Sequence, residues 1–154
     1  MPAFFFDSSG IVKRYVNEIG TLWVSGLVAP TAGNRIYVAR ITGVEVVSAV
    51  TRRQRSGSLT AGEATLVLDQ FRHDFTVEYR VMAITPPLIT QAMTLAETYA
   101  LRGYDAVQLS AALVLNIRRL ARGLPAVTLV SSDTELNVAA MAEGLAVEDP
   151  ASHP

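Results

Sequence analysis

Residues 1–16 read MPAFFFDSSGIVKRYV, and the fold is decided here. Phe4, Phe5 and Phe6 make a short apolar run that suits a strand buried on both faces, and Asp7 stops it abruptly. Ile11, Val12, Tyr15, Val16 and Ile19 then recur at helical spacing, with Ser8 or Ser9 placed to cap the helix and Gly20 to end it. The order is thus buried strand, acid, helix. Residues 127–143 repeat it: Val127 to Val130 form a second apolar strand, Asp133 follows, and Leu136 to Glu143 read as a helix closed by Gly144.

The same alternation fills the interval. Leu22 to Val28 suggests a short helix and Ile36 to Ala39 a strand. Ile41 to Arg55 suggests a helix ending in the basic cluster Arg52, Arg53 and Arg55, with Gly57 beyond it. Thr60 and Glu63 form a capping-box pattern that predicts a helix to about Phe71. Phe75 to Ile84 alternates loosely and holds a strand. Pro86 and Pro87 suit the start of a helix running to about Leu101. Gly103-Tyr104-Asp105 turns into an apolar helix carrying Leu109, Ala112, Leu113 and Ile117, and Ala146 to Glu148 supply a last strand. Strands alternating with helices predict α/β layering around a mainly parallel sheet. One domain over residues 1–150 is expected, with residues 151–154 as a frayed tail.

Composition narrows the functions. The chain has 154 residues, half of them hydrophobic and 18% charged, enough for one core. A net charge of −1 gives no global attraction to nucleic acid, so phosphate binding has to come from a local patch or a metal. The absence of cysteine excludes disulfides, thiolate zinc sites and a cysteine nucleophile, and it agrees with a reducing cytoplasm. No apolar stretch is long enough to span a bilayer, and the N-terminal run is too short for a signal-peptide core. There is no Walker A loop, no GxGxxG turn, and no second Asp two residues after Asp7, where Ser9 stands.

Asp7, Glu45, Asp105 and Asp133 each fall where an element starts, ends or turns an apolar face inward. Each has a plain structural use: Asp7, Asp105 and Asp133 suit helix caps, and Glu45, among Val44, Val46, Val47, Ala49 and Val50, suits an outward-facing position. Joint placement gives them another use. Sites in open α/β sheets form beyond the carboxyl ends of strands, where Asp7 and Asp133 lie. Carboxylates gathered there repel one another, by about 4 kcal/mol per pair at 4 Å and an effective dielectric of 20, unless a proton or cation intervenes. Oxygen-only ligands favour Mg²⁺ or Mn²⁺. Of the basic residues, Lys13, Arg14, Arg52 and Arg53 are candidates for phosphate contacts, with a solvated helix surface as the alternative.

Four segments together resemble PIN-domain ribonucleases of the VapC-like toxin family: Asp7-Ser8-Ser9-Gly10-Ile11-Val12-Lys13-Arg14-Tyr15-Val16, Ile41-Thr42-Gly43-Val44-Glu45-Val46-Val47-Ser48-Ala49, Tyr104-Asp105-Ala106-Val107-Gln108-Leu109-Ser110-Ala111-Ala112, and Ser131-Ser132-Asp133-Thr134-Glu135-Leu136. They occur in the family's order and span nearly the whole chain. The resemblance implies a three-layer fold with a five-stranded, mainly parallel sheet between helices. It implies a Mg²⁺- or Mn²⁺-dependent endoribonuclease whose metal pocket is Asp7, Glu45, Asp105 and Asp133, supported by Ser131 and Ser8. It further implies an RNA substrate and an antitoxin protein as partner, the chain being the toxin of a type II pair. The competing expectation is an inactive RNA- or protein-binding module on the same fold. Gly10 departs from the alanine more usual in the family and is expected to weaken the helix start slightly. A homodimer is expected to use an apolar helical hairpin near Thr60 to Leu101.

Overall fold

The computed structural model describes residues 1–154. Five strands form one parallel sheet in the order β3-β2-β1-β4-β5: β1 (Ala3–Phe6), β2 (Arg35–Ala39), β3 (Arg80–Met82), β4 (Thr128–Val130) and β5 (Ala146–Glu148). β1 is central. Phe5 pairs in register with Tyr37 on one side and Leu129 on the other, and Phe6 with Val38 and Val130. From β1 the chain builds outward through β2 and β3, then crosses back to β4 and β5. The switch point therefore lies between the carboxyl ends of β1 and β4, where a crevice is expected to open.

Seven helices cover the sheet: α1 (Ser8–Ile11), α2 (Thr21–Val28), α3 (Thr42–Arg55), α4 (Ala61–Val77), α5 (Pro86–Tyr99), α6 (Gly103–Ala121) and α7 (Thr134–Ala142). The pleat sorts the core into two layers. Ala3, Phe5, Ala39 and Leu129 face a cluster built with Leu88, Leu95, Leu109 and Leu136 of α5, α6 and α7. Phe6, Ile36, Val38 and Val130 face Ile11, Val24, Val46, Val50 and Phe71 of α1 to α4. Burying a Phe or Leu side chain in such a layer stabilises by about 1.5–3 kcal/mol.

Four expectations are corrected. The first helix is one turn, continued by a 3₁₀ turn over Val12–Arg14, and Asp7 caps it in place of Ser8 or Ser9 by accepting from the Gly10 amide. Gly10 has its own reason: a Cβ there would stand 2.5 Å from the Val130 carbonyl oxygen, so the turn lies against β4 only because the side chain is missing. The capping box of Thr60 and Glu63 opens α4, but that helix runs past Phe71 to Val77. Phe75 packs with its ring tilted against Phe71 one turn earlier, at 5.5 Å between ring centroids, and lies over Gly43 of α3, so residues that looked like the start of a strand extend a helix. Nor do residues 60–101 form a hairpin: α4 packs on α3, α5 packs on α6, and β3 separates the two pairs. Lastly, residues 150–153 are tied down. Pro150–Ser152 form a 3₁₀ turn seated against Gly20, and the His153 ring stacks on Trp23 at 4.1 Å and meets Glu148 at 3.0 Å.

No helix is long and apolar enough to cross a membrane.

Candidate active site

The acids converge because their elements are stitched together by hydrogen bonds. Asp7 follows β1 and is buried, and its carboxylate accepts from the Gly10 amide (2.8 Å), the Ser9 hydroxyl (2.8 and 2.9 Å) and the Ser131 hydroxyl at the end of β4 (2.9 Å). Ser131 in turn accepts from the Asp133 amide (3.1 Å), and Ser9 accepts from the Ser132 amide (3.0 Å). These contacts clamp the β1 and β4 ends at the switch point. A second chain ties α1, α3 and α6: Ser8 donates to Glu45 Oε2 (3.0 Å), and Gln108 Nε2 donates to Glu45 Oε1 and to the Thr42 hydroxyl (both 2.8 Å). Gln108 lies one turn after Asp105, so the contact that fixes Glu45 also sets Asp105 beside it.

Electrostatics report the same gathering. Burial pushes the Asp7 carboxyl up to about 7; the Ser9, Gly10 and Ser131 donors oppose this, and the charge of Asp105 adds to it. Asp105 is raised to about 6, first by burial, then by Asp133, Glu45 and Glu135, with Arg102 pulling the other way. The Asp105 carboxylate is half-buried and accepts no hydrogen bond from the protein. Asp133 caps α7 by accepting from the Leu136 amide (2.9 Å), a structural use that leaves its second oxygen uncommitted.

The donor chemistry suits a hard divalent cation: four carboxylates, with no thiolate or imidazole among them. As the side chains stand, no three His, Asp or Glu groups are close enough to hold one ion together. Asp105, free of hydrogen bonds and half-exposed, is the acid with room to swing, whereas Asp7 is fixed by three donor groups.

Ser8 and Ser131 each donate a hydrogen bond to one of the acids, and Ser9 does so as well. The basic candidates separate. Lys13 is buried and pairs with Glu18 (3.0 Å), which also takes Arg53. Arg14 lies over the Tyr15 ring at 5.8 Å beside Gln70, His73 and Asp74, where none of the four acids stands. Arg52 alone faces a groove of about 490 Å³ lined also by Ser8, Val44, Glu45, Ser48 and Tyr104. Sequence reading missed Gln108, Thr42, Arg102 and Asn137, whose amide donates to the Ser131 carbonyl (2.8 Å). A signal for Gln108 existed: an amide among Ala106, Leu109, Ala111 and Ala112 is a polar group in a buried helix face and needs a partner.

A parallel three-layer sheet with acids gathered at its central switch point is the PIN-domain class of architecture. No protein-family model matches the chain. Full-length relatives do: ribonuclease VapC45 of Mycobacterium tuberculosis strain CDC 1551 / Oshkosh and ribonuclease VapC49 of strain ATCC 25618 / H37Rv are each 31% identical over 149 residues, covering 96% of this chain and 95% of theirs. The chain belongs to the VapC ribonuclease family. Among solved structures, VapBC2 from Rickettsia felis, bound to a DNA fragment from its promoter, superposes with a TM-score of 0.63 at 16% identity, covering 96% of this chain and 98% of that one.

Proposed function

We propose that this protein is a metal-dependent endoribonuclease that hydrolyses RNA phosphodiesters to leave 5′-phosphates, acting as the toxin of a toxin–antitoxin pair. The observation that carries the reading is Asp105, an acid raised by burial and then by three other acids, and given no hydrogen-bond donor by its own protein. Such a group calls for a proton or a cation, and the family relationship supports the cation.

Asp7, Asp105 and Asp133 would hold Mg²⁺ or Mn²⁺. When bound, the ion supplies positive charge to the phosphodiester oxygens and acidity to an attacking water. Asp7 is the fixed ligand, held in orientation by Ser9, Ser131 and the Gly10 amide. Glu45 lines the groove with each oxygen taking a single protein hydrogen bond, so each keeps acceptor capacity for the proton of the attacking water. Ser8 and Gln108 keep that carboxylate from turning away. An antitoxin protein is the expected partner, on the strength of the toxin–antitoxin complexes that share this fold.

The test is cleavage of single-stranded RNA by purified protein in Mn²⁺ or Mg²⁺, with and without chelator. Metal-dependent cuts bearing 5′-phosphate ends are expected. Protein freed of partners that leaves every RNA intact in either ion sinks the reading.

A further inference from the structure

The acids provide chemistry but no hold on the rest of a polynucleotide, and the groove beside them provides two such holds. One is Arg52. It is exposed and makes neither an ion pair nor a side-chain hydrogen bond, unlike Lys13 and Arg53, which Glu18 neutralises. Glu45, Ser48, Ala49 and Arg52 recur at helical spacing along α3 and line the groove as one stripe. Arg52 stands roughly 10 Å from Glu45 along the helix axis, at a rise of about 1.5 Å per residue. The depression continues past it, toward Arg53 and Ser56 on one side and Thr51 and Arg55 on the other.

The other hold is Tyr104, in the first turn of α6 next to Asp105. The residue is 62% exposed, and it lines the groove together with α3. A lone exposed aromatic is ordinary on a protein surface. This one borders the acid cluster and shares its groove with an unpaired guanidinium. A ring plus a cation along a shallow channel is what a single strand requires: an aromatic face for an unstacked base and a positive charge for the backbone.

We infer that Tyr104 and Arg52 grip a single-stranded polynucleotide across the acids, Tyr104 stacking on a base at the acid side and Arg52 receiving a backbone phosphate two turns along α3. The assignment rests on the nuclease reading, which makes a polynucleotide the occupant of the groove. A duplex offers Tyr104 no free base face, so the groove selects unpaired strands. At the Arg52 end of the groove, away from Glu45, charge favours a polyanion over a basic peptide: Arg52 is uncompensated, and Arg55 adds a second cation farther along.

Steady-state cleavage of a mixed-sequence single-stranded RNA in Mn²⁺, over a range of salt, tests the grip. Arg52→Gln should raise KM with little change in kcat, and should make the dependence of log(kcat/KM) on log salt shallower by about 0.7. Tyr104→Leu should raise KM by roughly 5- to 150-fold, and Tyr104→Phe should stay near wild type because the ring face is kept. Both side chains are exposed, so melting temperatures should be unchanged, and a variant that melts early is replaced by Arg52→Met or Tyr104→Gln, which also remove the charge or the ring. Wild-type protein that cuts RNA while every variant keeps its KM and salt slope overturns this inference and leaves the nuclease standing. Variants that lose only affinity for a co-purified protein partner also overturn it, and assign the groove to that partner. Wild-type protein that cuts nothing removes both readings.

Discussion

Asp7 and Asp74 are both nearly out of reach of water, at 2% and 6% exposure, yet their surroundings differ in kind. Asp74, near the end of α4, takes the Tyr15 hydroxyl (2.6 Å) on one oxygen and the Gln70 amide (2.8 Å) on the other; Tyr15 also meets the Tyr79 hydroxyl and packs edge-on to Phe71 at 5.2 Å. Burial pushes both tyrosine hydroxyls up, which keeps them protonated donors. This acid joins the turn after α1 to α4 and to the entry of β3, and nothing about it asks for a ligand. Asp7 also has a full set of donors, but its burial, with a smaller push from the charge of Asp105, raises its carboxyl to about 7. Two buried carboxylates with good hydrogen bonds thus part company over the company they keep. One fixes the fold, and the other is left short of positive charge.

The sharpest way to break this contrast is to neutralise each acid in turn. Asp7→Asn keeps the shape and removes the charge. We expect RNA cleavage to fall by roughly 10²- to 10³-fold, the size of effect seen when a charge-stabilising group is removed from a reacting centre. The folded protein should survive and, without metal at pH 8, should melt higher than wild type. An Asp7→Asn protein that cuts RNA at near the wild-type rate would place the chemistry elsewhere.

The second break is in pH and metal. Below about pH 4 Asp7 is protonated in both folded and unfolded chains and costs nothing. As pH rises toward 7 the folded chain keeps a proton that the unfolded chain has lost, so stability falls across that window, and the cost is complete above the folded value of about 7. At about 1.4 kcal/mol per pH unit this reaches a few kcal/mol at most. Asp105, held at about 6, pulls in the same direction. Thermal melts in chelator should therefore decline from pH 4 to 7, and millimolar Mn²⁺ should restore the loss at pH 7 and above. Superimposable melting curves with and without the ion would show that nothing neutralises these acids.

What the sequence made legible follows from how local each signal is. Asp7 and Asp133 could be read because an acid at the end of an apolar run needs only the neighbouring residues to be noticed. The two-layer core could be read for the same reason, since Phe4, Phe5 and Phe6 alternate faces by the pleat alone. The length of α4 could not, because Phe75 is held in a helix by Phe71 and Gly43, and Gly43 lies on another element. The fates of the basic residues were equally hidden. Lys13 and Arg14 are neighbours with the same charge, but a buried pairing with Glu18 claims the first and the Tyr15 ring the second. Asp74 drew no notice because its partners come from residues 15, 70 and 79, and no linear pattern joins them.

A third perturbation measures the structural acid. Asp74→Ala strands the Tyr15 and Gln70 donors and should lower unfolding free energy by about 1–3 kcal/mol in chemical denaturation, with kcat of the folded fraction within a few-fold of wild type. Loss of cleavage beyond the folded fraction would join the two regions functionally and dissolve the contrast. Ser131→Ala sits between them in effect. It removes a donor to Asp7 and an acceptor for the Asp133 amide at the point where β1 and β4 meet. Groups that orient metal-binding residues typically contribute 10- to 100-fold, and a drop of about that size in RNA cleavage is expected, rescued by Ser131→Thr.

The smallest effect belongs to the C-terminal turn, where stacking and a surface ion pair act without any buried charge. The His153 ring lies flat on Trp23 and its Nε2 meets Glu148, but both partners of the pair are substantially solvated, at 35% and 47% side-chain exposure. Exposed pairs of this kind contribute about 0–1 kcal/mol. The turn is held more firmly by backbone: a Cβ at Gly20 would stand 2.4 Å from the Pro150 carbonyl oxygen, and Gly20 adopts a φ of 92° that side chains resist. His153→Ala should therefore shift the melting temperature by no more than a few degrees, while Gly20→Ala, which meets both the contact and the dihedral, should cost more. The reverse ranking would mean that the aromatic stack, and not the fit of the chain against α2, keeps the C-terminus in place.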